Sequence, residues 1–311
     1  MSGARLWGIV LAGGEGVRLR ALSRRICGDE RPKQYVPVLG DRTLLGQTLD
    51  RVGLGIPARR TAVVTLRSHA RYFAEQWAGS EPPHMLVQPM DRGTAAGILV
   101  PVQWISGHDP GATVAVFPSD HFVSEPATFM AYVARIAAWV DEHPDRLVLL
   151  GAPASRPEVE YGWVEPGDSL GASDDLRIWG VRRFWEKPSG DRARICLESG
   201  CLWNTFVLVG KAAVFLRAGR EAVPEVGERL ARAEPFFGSR EEAWALHQAY
   251  ALIPNASFAR AILEPCPSSL AVAELPNLRW SDLGSPGRVF EALSGVRSQP
   301  AWALASDLPA S

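Results

Sequence analysis

The sequence has little cysteine, almost no net charge and no long apolar run, and each shortage excludes a class of protein. The four cysteines among 311 residues show no paired CxxC spacing, which predicts free thiols in a reducing, cytoplasmic compartment rather than a zinc site. A formal net charge of -1 gives no general attraction to nucleic acid or anionic lipid. No apolar run is long enough for a signal peptide or a membrane span. We therefore expect neither nucleic acid nor membrane as a partner.

Lysine is also scarce, because only three of the 33 basic residues are lysines: Lys33, Lys187 and Lys211. The fork of an arginine is a poor replacement for a lysine ammonium that is aimed at one phosphate oxygen. In a chain that otherwise uses arginine, Lys33 and Lys187 are therefore candidate phosphate ligands. We interpret Lys211 as chance.

Short apolar runs alternate with helix-like stretches over the first 150 residues. The runs are typical of strands buried on both faces and cover residues 6–12, 61–65, 113–117 and 146–150. The helix-like stretches are residues 44–52, 69–77, 94–105 and 127–142. This alternation predicts an α/β fold with a Rossmann-like, mostly parallel sheet flanked by helices.

The pattern changes after residue 150. Residues 161–165, 181–186 and 203–209 are strand-like, residues 166–175 form a turn-rich run, and residues 221–233 and 240–252 are helix-like. These strands predict a small β extension over one end of the parallel sheet. We expect a single domain over residues 1–299, with halves of about 1–150 and 151–299. A loose tail over residues 300–311 follows, and the sequence leaves a homo-oligomer open.

A glycine-rich run follows the first predicted strand directly: Leu11-Ala12-Gly13-Gly14-Glu15-Gly16-Val17-Arg18-Leu19. Glycines at such a place let backbone N–H groups approach phosphate oxygens closely. No lysine follows them as in a P-loop, and their spacing differs from the GxGxxG of dinucleotide-binding folds. A plain tight turn stays the alternative to a phosphate-binding loop.

The next candidate is Lys33, which lies between two prolines in Arg31-Pro32-Lys33-Gln34-Tyr35-Val36-Pro37-Val38. Proline restricts the backbone on either side. With Arg18, Lys33 can place two fixed positive charges on one triphosphate, which suits phosphoryl transfer because its catalysis is mainly positioning and charge neutralisation. Since the position lies in a proline-bounded loop, we expect truncation of Lys33 to leave the fold intact.

Together these motifs resemble those of sugar-1-phosphate nucleotidyltransferases, whose signature is similar to the GGxGxRL loop followed by Pro-Lys. The resemblance to mannose-1-phosphate guanylyltransferases is closer and rests on three motifs in chain order: Pro32-Lys33-Gln34-Tyr35, Pro118-Ser119-Asp120-His121 and Trp280-Ser281-Asp282-Leu283-Gly284. The implied reaction joins a sugar 1-phosphate to a nucleoside triphosphate and releases pyrophosphate.

The resemblance implies a role for each matching residue. The catalytic cations on the triphosphate would be Arg18 and Lys33. The residues against the nucleoside and its base would be Leu11, Ala12, Gly13, Gly14, Gln88, Gly93 and Thr94. The residues against the sugar phosphate would be Gly162, Glu186, Lys187 and Asn204.

Asp120 and Asp282 are implied as ligands of a catalytic Mg²⁺, a cation that prefers hard oxygen ligands and keeps several waters. Two converging carboxylates also require a metal or another cation between them, since their repulsion otherwise raises one pKa. Taken from the residues alone, three other interpretations stay open: Asp120 as a loop cap, Asp282 as a helix N-cap, and Glu186-Lys187 as part of a solvated turn.

Three positions depart from the family pattern. Gly93 stands where an asparagine is usual, Phe206 stands where a glycine is usual, and Ala259 stands where an acidic residue is usual. These departures affect the expected base and sugar rather than the expected reaction.

The expected substrates are GTP and mannose 1-phosphate, joined by in-line attack of a sugar-phosphate oxygen on the α-phosphorus. A phosphate monoester is largely dianionic at neutral pH, so the attack needs no general base. Two alternatives stay open. One is the same reaction with another pair, such as glucose 1-phosphate with UTP, dTTP or ATP, and the other is a sugar-nucleotide sensor without catalysis.

Overall fold

The computed structural model describes residues 5–73, 82–173, 176–294 and 300–304. The end of the expected helix 69–77 and most of the expected tail 300–311 lie outside the described residues. The described residues contain every motif singled out in the sequence, so the relative positions of those motifs follow from the fold.

Strands alternate with helices through the first half of the chain, as the sequence predicts. The strands are β1 (Leu6–Leu11), β2 (Thr61–Leu66), β3 (His84–Gln88), β4 (Thr113–Pro118), β5 (Phe122–Val123) and β6 (Leu147–Pro153). The helices are α1 (Arg20–Cys27), α2 (Leu44–Gly53), α3 (Ala70–Phe73), α4 (Gly93–His108) and α5 (Pro126–Glu142).

The second half begins with a long hairpin and continues with helices. Its strands are β7 (Gly162–Ser173), β8 (Leu176–Glu186), β9 (Leu202–Lys211), β10 (Leu270–Glu274) and β11 (Trp280–Ser281). Its α-helices are α6 (Gly190–Glu198), α7 (Ala212–Ala222), α8 (Pro224–Ala233), α9 (Glu242–Leu252), α10 (Pro286–Leu293) and α11 (Ala301–Leu304).

Within the described residues, nine strands form one mixed sheet in the order β3-β2-β1-β4-β9-β6-β10-β8-β7. Strands β3, β2, β1 and β4 are parallel, β6 is parallel to β10, and β9 runs antiparallel between β4 and β6. The mostly parallel sheet predicted from the sequence is thereby confirmed. The predicted β extension is the β7–β8 hairpin, which pairs with β10 and with the start of β9.

The apolar runs become strands because both faces of the sheet are covered. Along β1, Trp7 and Ile9 belong to the apolar cluster that includes Leu99 of α4, whereas Leu6 and Val10 belong to the cluster on the other face. Successive side chains of a strand point to opposite faces, so a strand buried on both faces has to be apolar at every position.

Two expected elements are wrong in detail, and proline explains both. The expected turn 166–175 is strand as far as Ser173, with register shifts on either side of Pro166; a bulge tolerates proline because its missing N–H is not needed there. The expected helix 221–233 is instead two helices, because Pro224 opens α8 and disfavours helical backbone at the preceding Val223.

Two further observations concern composition. Among the described residues, no helix has both the length and the apolar character required to cross a membrane. The four cysteines are all free thiols: Cys27, Cys196, Cys201 and Cys266. The expectation of unpaired cysteines is therefore confirmed.

Candidate active site

The glycine loop after β1 is held in place by the segment that follows Lys33. Gln34 Nε2 donates to the carbonyl oxygens of Ala12 and Gly14 at 3.0 and 2.8 Å. The Tyr35 hydroxyl lies 3.2 Å from Ala12 O and 2.7 Å from Thr65 Oγ1. Gln34 and Tyr35 of the Pro-Lys-Gln-Tyr motif therefore hold the glycine loop in place. Sequence analysis singled out the motif but assigned no role to these two residues.

Gly16 brings the glycine loop against Lys33. Its φ is 60°, and a Cβ atom at this position would lie 2.7 Å from the backbone nitrogen of Lys33. No real Cβ fits so close, and a positive φ also disfavours residues other than glycine. Glycine is required here by the close approach of two chain segments.

Lys33 is buried, with 9% of its surface exposed, and its ammonium contacts both Asp120 and Asp282. Nζ donates to Asp282 O at 2.7 Å and lies 3.1 Å from Asp120 Oδ2. The structure thus brings together Lys33, Asp120 and Asp282, although 249 residues separate the first from the last. The burial of Lys33 changes the expected effect of its truncation, because truncation would remove a buried donor from the carbonyl of Asp282 and so cost stability.

The carboxylate of Asp282 points to a second cation rather than to Lys33. Oδ1 accepts from the Tyr161 hydroxyl at 3.0 Å and from Gly284 N at 2.9 Å. Arg288 Nη1 contacts Oδ1 and Oδ2 at 2.8 and 2.9 Å, while Arg288 Nη2 binds Glu158 Oε2 at 2.7 Å. Sequence analysis missed Arg288 and Glu158, because neither lies in a recognised motif.

These contacts determine the charge of both carboxyl groups. Burial opposes ionisation of Asp282, but His121, Arg288 and Lys33 outweigh it and hold the pKa of Asp282 below its ordinary value. Burial also opposes ionisation of Glu158, yet hydrogen bonds from the Glu160 backbone and Arg288 lower the pKa of Glu158. Both side chains are therefore anions at neutral pH.

Arg18 occupies a more exposed position at the mouth of the site. Its Nη1 lies 2.5 Å from Glu160 Oε2, and the two side chains are 54% and 45% exposed. An ion pair as exposed as this contributes only about 0–1 kcal/mol to stability. The guanidinium can therefore exchange Glu160 for a phosphate at little cost.

A pocket of about 150 Å³ lies beside the glycine loop, at the carboxyl ends of β1 and β3. Its lining includes six of the seven residues expected against the nucleotide: Leu11, Gly13, Gly14, Gln88, Gly93 and Thr94. Ala12 is the seventh, and its backbone is occupied within the protein by Val64 O and Gln34 Nε2.

The structure explains why residue 93, one of the departures from the family pattern, is glycine in this chain. Its φ is 78°, and a Cβ atom at this position would lie 2.4 Å from Ala256 O. Residues 255–258 cross the start of α4 here: Ala95 N donates to Ala256 O at 3.0 Å, and Phe258 N donates to Thr94 Oγ1 at 2.9 Å. Packing of this crossing segment excludes any side chain at residue 93.

The residues expected against the sugar phosphate meet where β7, β8 and β9 adjoin. A Cβ atom on Gly162 would lie 2.9 Å from Glu186 Oε2 and 3.2 Å from Asn204 Cβ. Lys187 is exposed, and its backbone N–H donates to Tyr161 O at 3.2 Å. Burial raises the pKa of Glu186, and Lys187 partly offsets this. All four predicted residues therefore lie in one region, beside the backbone of Tyr161.

Comparison with known proteins decides the family. A sequence profile of the family described as nucleotidyl transferase matches residues 7–299, which is most of the chain. The chain belongs to this nucleotidyl transferase family. The resemblance inferred from the motifs is thereby confirmed.

Curated relatives of the chain are longer than the chain itself. The xanthan biosynthesis protein XanB of Xanthomonas campestris pv. campestris is 30% identical over 283 residues, which are 89% of this chain and 57% of XanB. The mannose-1-phosphate guanylyltransferase of Escherichia coli K12 is 26% identical over 303 residues, 94% of this chain and 60% of that protein. The chain thus spans about three-fifths of the length of the curated relatives it matches.

A solved structure has the same fold as the chain. The crystal structure described as mannose-1-phosphate geranyltransferase from Thermus thermophilus is 28% identical and matches with a TM-score of 0.74. The match covers 90% of this chain and 76% of that chain. The helix-flanked, mostly parallel sheet is therefore a fold that the two proteins share.

Positive φ angles outside glycine occur in or next to the motifs of the chain. Among the described residues, three that are not glycine have a positive φ: Lys187 at 53°, Phe206 at 59° and Leu283 at 50°. Such conformations cost about 1–3 kcal/mol each and persist where the surrounding structure enforces them. Phe206 stands where the family pattern has glycine, the residue that adopts a positive φ freely.

The donor set around Asp120 fits a hard cation. In the parts of the chain that the structure describes, no three His, Cys, Asp or Glu side chains form a metal cage. Mg²⁺ is commonly held by one or two carboxylates together with phosphates and water, so two aspartates suffice. Among the described residues, Asp120 Oδ1 has His121 Nε2 nearby at 3.6 Å, and Asp282 Oδ2 accepts from Arg288 Nη1 at 2.9 Å. Burial lowers the pKa of His121, and the Asp120 carboxylate partly offsets this.

Proposed function

We propose that this chain transfers a nucleotidyl group from a nucleoside triphosphate to a sugar 1-phosphate and releases pyrophosphate. The observation that carries the proposal is the convergence of Lys33, Asp120 and Asp282 at the end of the glycine loop. Tyr161 connects this cluster to the region of Gly162, so the nucleotide-binding and sugar-binding candidates adjoin. Membership of the nucleotidyl transferase family supports the reaction class.

GTP and mannose 1-phosphate are the proposed substrate pair. The support is the name of the Escherichia coli relative, mannose-1-phosphate guanylyltransferase, at 26% identity, and the mannose 1-phosphate in the name of the Thermus thermophilus protein at 28%. Both identities are low enough that substrate residues can differ, as Gly93 and Phe206 do from the family pattern.

The chemistry needs charge neutralisation more than proton transfer. An oxygen of the sugar phosphate forms a bond to the α-phosphorus, the bond to the bridging oxygen breaks, and its electron pair leaves with pyrophosphate. Both reactants are anions, so cations have to offset their repulsion. Arg18 gains a phosphate in place of Glu160, while Lys33 supplies a fixed ammonium beside Asp120.

When bound, Mg²⁺ would supply further charge neutralisation at the triphosphate. Asp120 would hold it, and Asp282 would join through Oδ2. Lys33 contacts the Asp120 carboxylate and Arg288 contacts the Asp282 carboxylate, and these contacts orient the oxygen ligands. Each of the two carboxylates thus has a cation of its own beside it, which offsets their repulsion.

We also propose a cytoplasmic location and a single domain over residues 1–299. The four free cysteines support a reducing compartment. The position of β9 supports one domain, because this strand of the second half lies between β4 and β6 of the first half. Neither half has a complete sheet without the other.

The test is to identify the product. The chain is incubated with Mg²⁺, one sugar 1-phosphate at a time and a mixture of GTP, UTP, dTTP, ATP and CTP, and the products are identified by mass. We expect GDP-mannose and an equal amount of pyrophosphate, with Asp120→Asn as the matched inactive control. Another nucleotide sugar would replace the substrate pair, whereas no product from any pair would contradict the reaction.

A further inference from the structure

Gln88 is the buried polar side chain of the 150 Å³ pocket beside the glycine loop, with 6% of its surface exposed. The other two polar side chains of the lining already accept from the backbone. Asp91 Oδ1 accepts from Gly93 N, and Thr94 Oγ1 accepts from Phe258 N. The remaining lining residues are glycines and aliphatic residues. Gln88 is therefore the side chain best placed to distinguish one ligand from another.

Tyr250 of α9 lies directly behind Gln88. Its side chain is fully buried, and its hydroxyl lies 2.8 Å from Gln88 Oε1. The carbonyl oxygen of Tyr250 accepts from Arg92 Nε at 2.8 Å, which fixes this part of α9 beside the pocket. Burial raises the pKa of Tyr250, so the hydroxyl keeps its proton at neutral pH.

The buried hydroxyl determines which way the Gln88 amide points. A buried donor without an acceptor is costly, and among the described residues the acceptor for this hydroxyl is Gln88. Only the oxygen of an amide accepts. Oε1 therefore faces Tyr250, and Nε2 faces Gly13, where a Cβ atom would lie 3.2 Å from it. A flipped amide would leave the phenol proton unpaired.

We infer that Tyr250 fixes the Gln88 amide so that the pocket offers N–H donors, which selects bases with an oxo group at C6 of a purine or C4 of a pyrimidine over bases with an amino group at that position. This inference rests on the proposed function, which places the nucleoside in this pocket. Guanine O6 and thymine O4 accept, as does the equivalent O4 of uracil, whereas the amino groups of adenine and cytosine donate. Tyr250 is a positioning residue, because it contacts Gln88 and not the base.

The expected difference in affinity between oxo and amino bases follows from the hydrogen bond between Gln88 Nε2 and the base. A donor that faces an amino group loses its hydrogen bond and leaves a polar group unpaired in a partly buried pocket. We expect binding weaker by about ten- to a hundred-fold for the amino base. Because the Tyr250 hydroxyl imposes the orientation, its removal should let the amide turn and reduce that ratio.

Two pairs of triphosphates compare an oxo with an amino group at the same ring position. UTP and CTP differ in this way at C4, and ITP and ATP at C6; in each pair the neighbouring ring nitrogen also changes from an N–H donor in the oxo base to an acceptor in the amino base. Their dissociation constants are measured by calorimetry at fixed Mg²⁺, without sugar phosphate, on the full chain. In each pair whose oxo member binds, we expect that member to bind about ten- to a hundred-fold more tightly. Tyr250→Phe should bring the ratio towards one.

Tyr132→Phe is the matched control, because this buried tyrosine donates to Glu274 O at 2.6 Å on another part of the fold. It should keep the wild-type ratio. Gln88→Glu provides a second variant in case Tyr250→Phe does not fold, as judged by circular dichroism. A carboxylate offers only acceptors, so Gln88→Glu should favour the amino member of each pair.

Equal binding of oxo and amino bases by the wild type would overturn the inference. So would an unchanged ratio in folded Tyr250→Phe, or an oxo preference that persists in Gln88→Glu. Oxo preference without pyrophosphate release in the product assay would overturn the catalytic proposal alone. Turnover without oxo preference would overturn this inference alone, and a chain that binds no triphosphate would overturn both.

Discussion

Arg288→Met tests whether the buried cluster behind Asp282 is a charge network or a coincidence of packing. The Arg288 side chain is 8% exposed and binds two carboxylates, Asp282 and Glu158, each with a side chain 14% exposed. Methionine keeps most of the volume of the side chain but removes the charge. Two buried anions then lose their shared cation.

The expected loss is large for a single substitution. Removing one partner of a buried ion pair costs about 3–5 kcal/mol, because the remaining charge stays buried and unpaired. We expect the lower part of this range, since the Tyr161 hydroxyl and Gly284 N still donate to Asp282. Urea denaturation at pH 8 would measure the difference in unfolding free energy from the wild type.

The dependence on pH distinguishes lost charge pairing from lost packing. In the wild type, folding lowers the pKa values of Asp282 and Glu158. The stability that the two ionised carboxylates contribute is therefore fully present above their unfolded pKa values of about 4, and it is lost as the pH falls through their lower folded pKa values. Without Arg288, burial raises both pKa values, and protonation on acidification then relieves the cost. The deficit of Arg288→Met should therefore shrink between pH 8 and pH 5.

Arg194→Met is the control, because this arginine pairs with Asp191 on the surface of α6, with side chains 64% and 88% exposed. It should change stability by less than about 0.5 kcal/mol at either pH. A loss in Arg288→Met no greater than that of the control would refute the network. A large loss that does not change with pH would show that packing, and not charge, is responsible.

Three further predictions follow from the site. Lys33→Ala should lower the rate of pyrophosphate release by orders of magnitude and also destabilise the fold by about 1–3 kcal/mol, since a buried donor is removed; unchanged turnover would exclude a catalytic role. Glu186→Gln should raise the KM for the sugar phosphate and leave that for the triphosphate nearly unchanged, and equal effects on both would mean a structural role. Gly93→Ala should lower the melting temperature, because its Cβ would lie 2.4 Å from Ala256 O. Gly107→Ala in the same helix is the control, since its Cβ meets nothing within 4 Å and should raise the melting temperature. Similar shifts for the two variants would contradict the claim that residues 255–258 exclude a side chain at residue 93.

The sequence by itself predicted the parts of the fold that depend on local pattern. Continuous apolar runs identified β1, β2, β4 and β6, since strands covered on both faces have to be apolar throughout. It missed β3, whose exposure varies along an edge of the sheet, and β10, whose Leu-Ala-Val-Ala run is short. The motifs identified Lys33, Asp120 and Asp282, and the residue types there indicated phosphate and metal chemistry.

Tertiary structure alone decided which of these groups meet and what stands between them. Gln88 and Tyr250 are 162 residues apart, and Asp282 reaches Tyr161 across 121 residues. Periodicity and spacing report only the neighbours of a residue along the chain, whereas these contacts result from the packing of the whole sheet and its helices. Arg288 is the clearest example. Its neighbours in the sequence do not distinguish it from any other arginine on a short helix, and only the fold buries it between the carboxylates of Asp282 and Glu158.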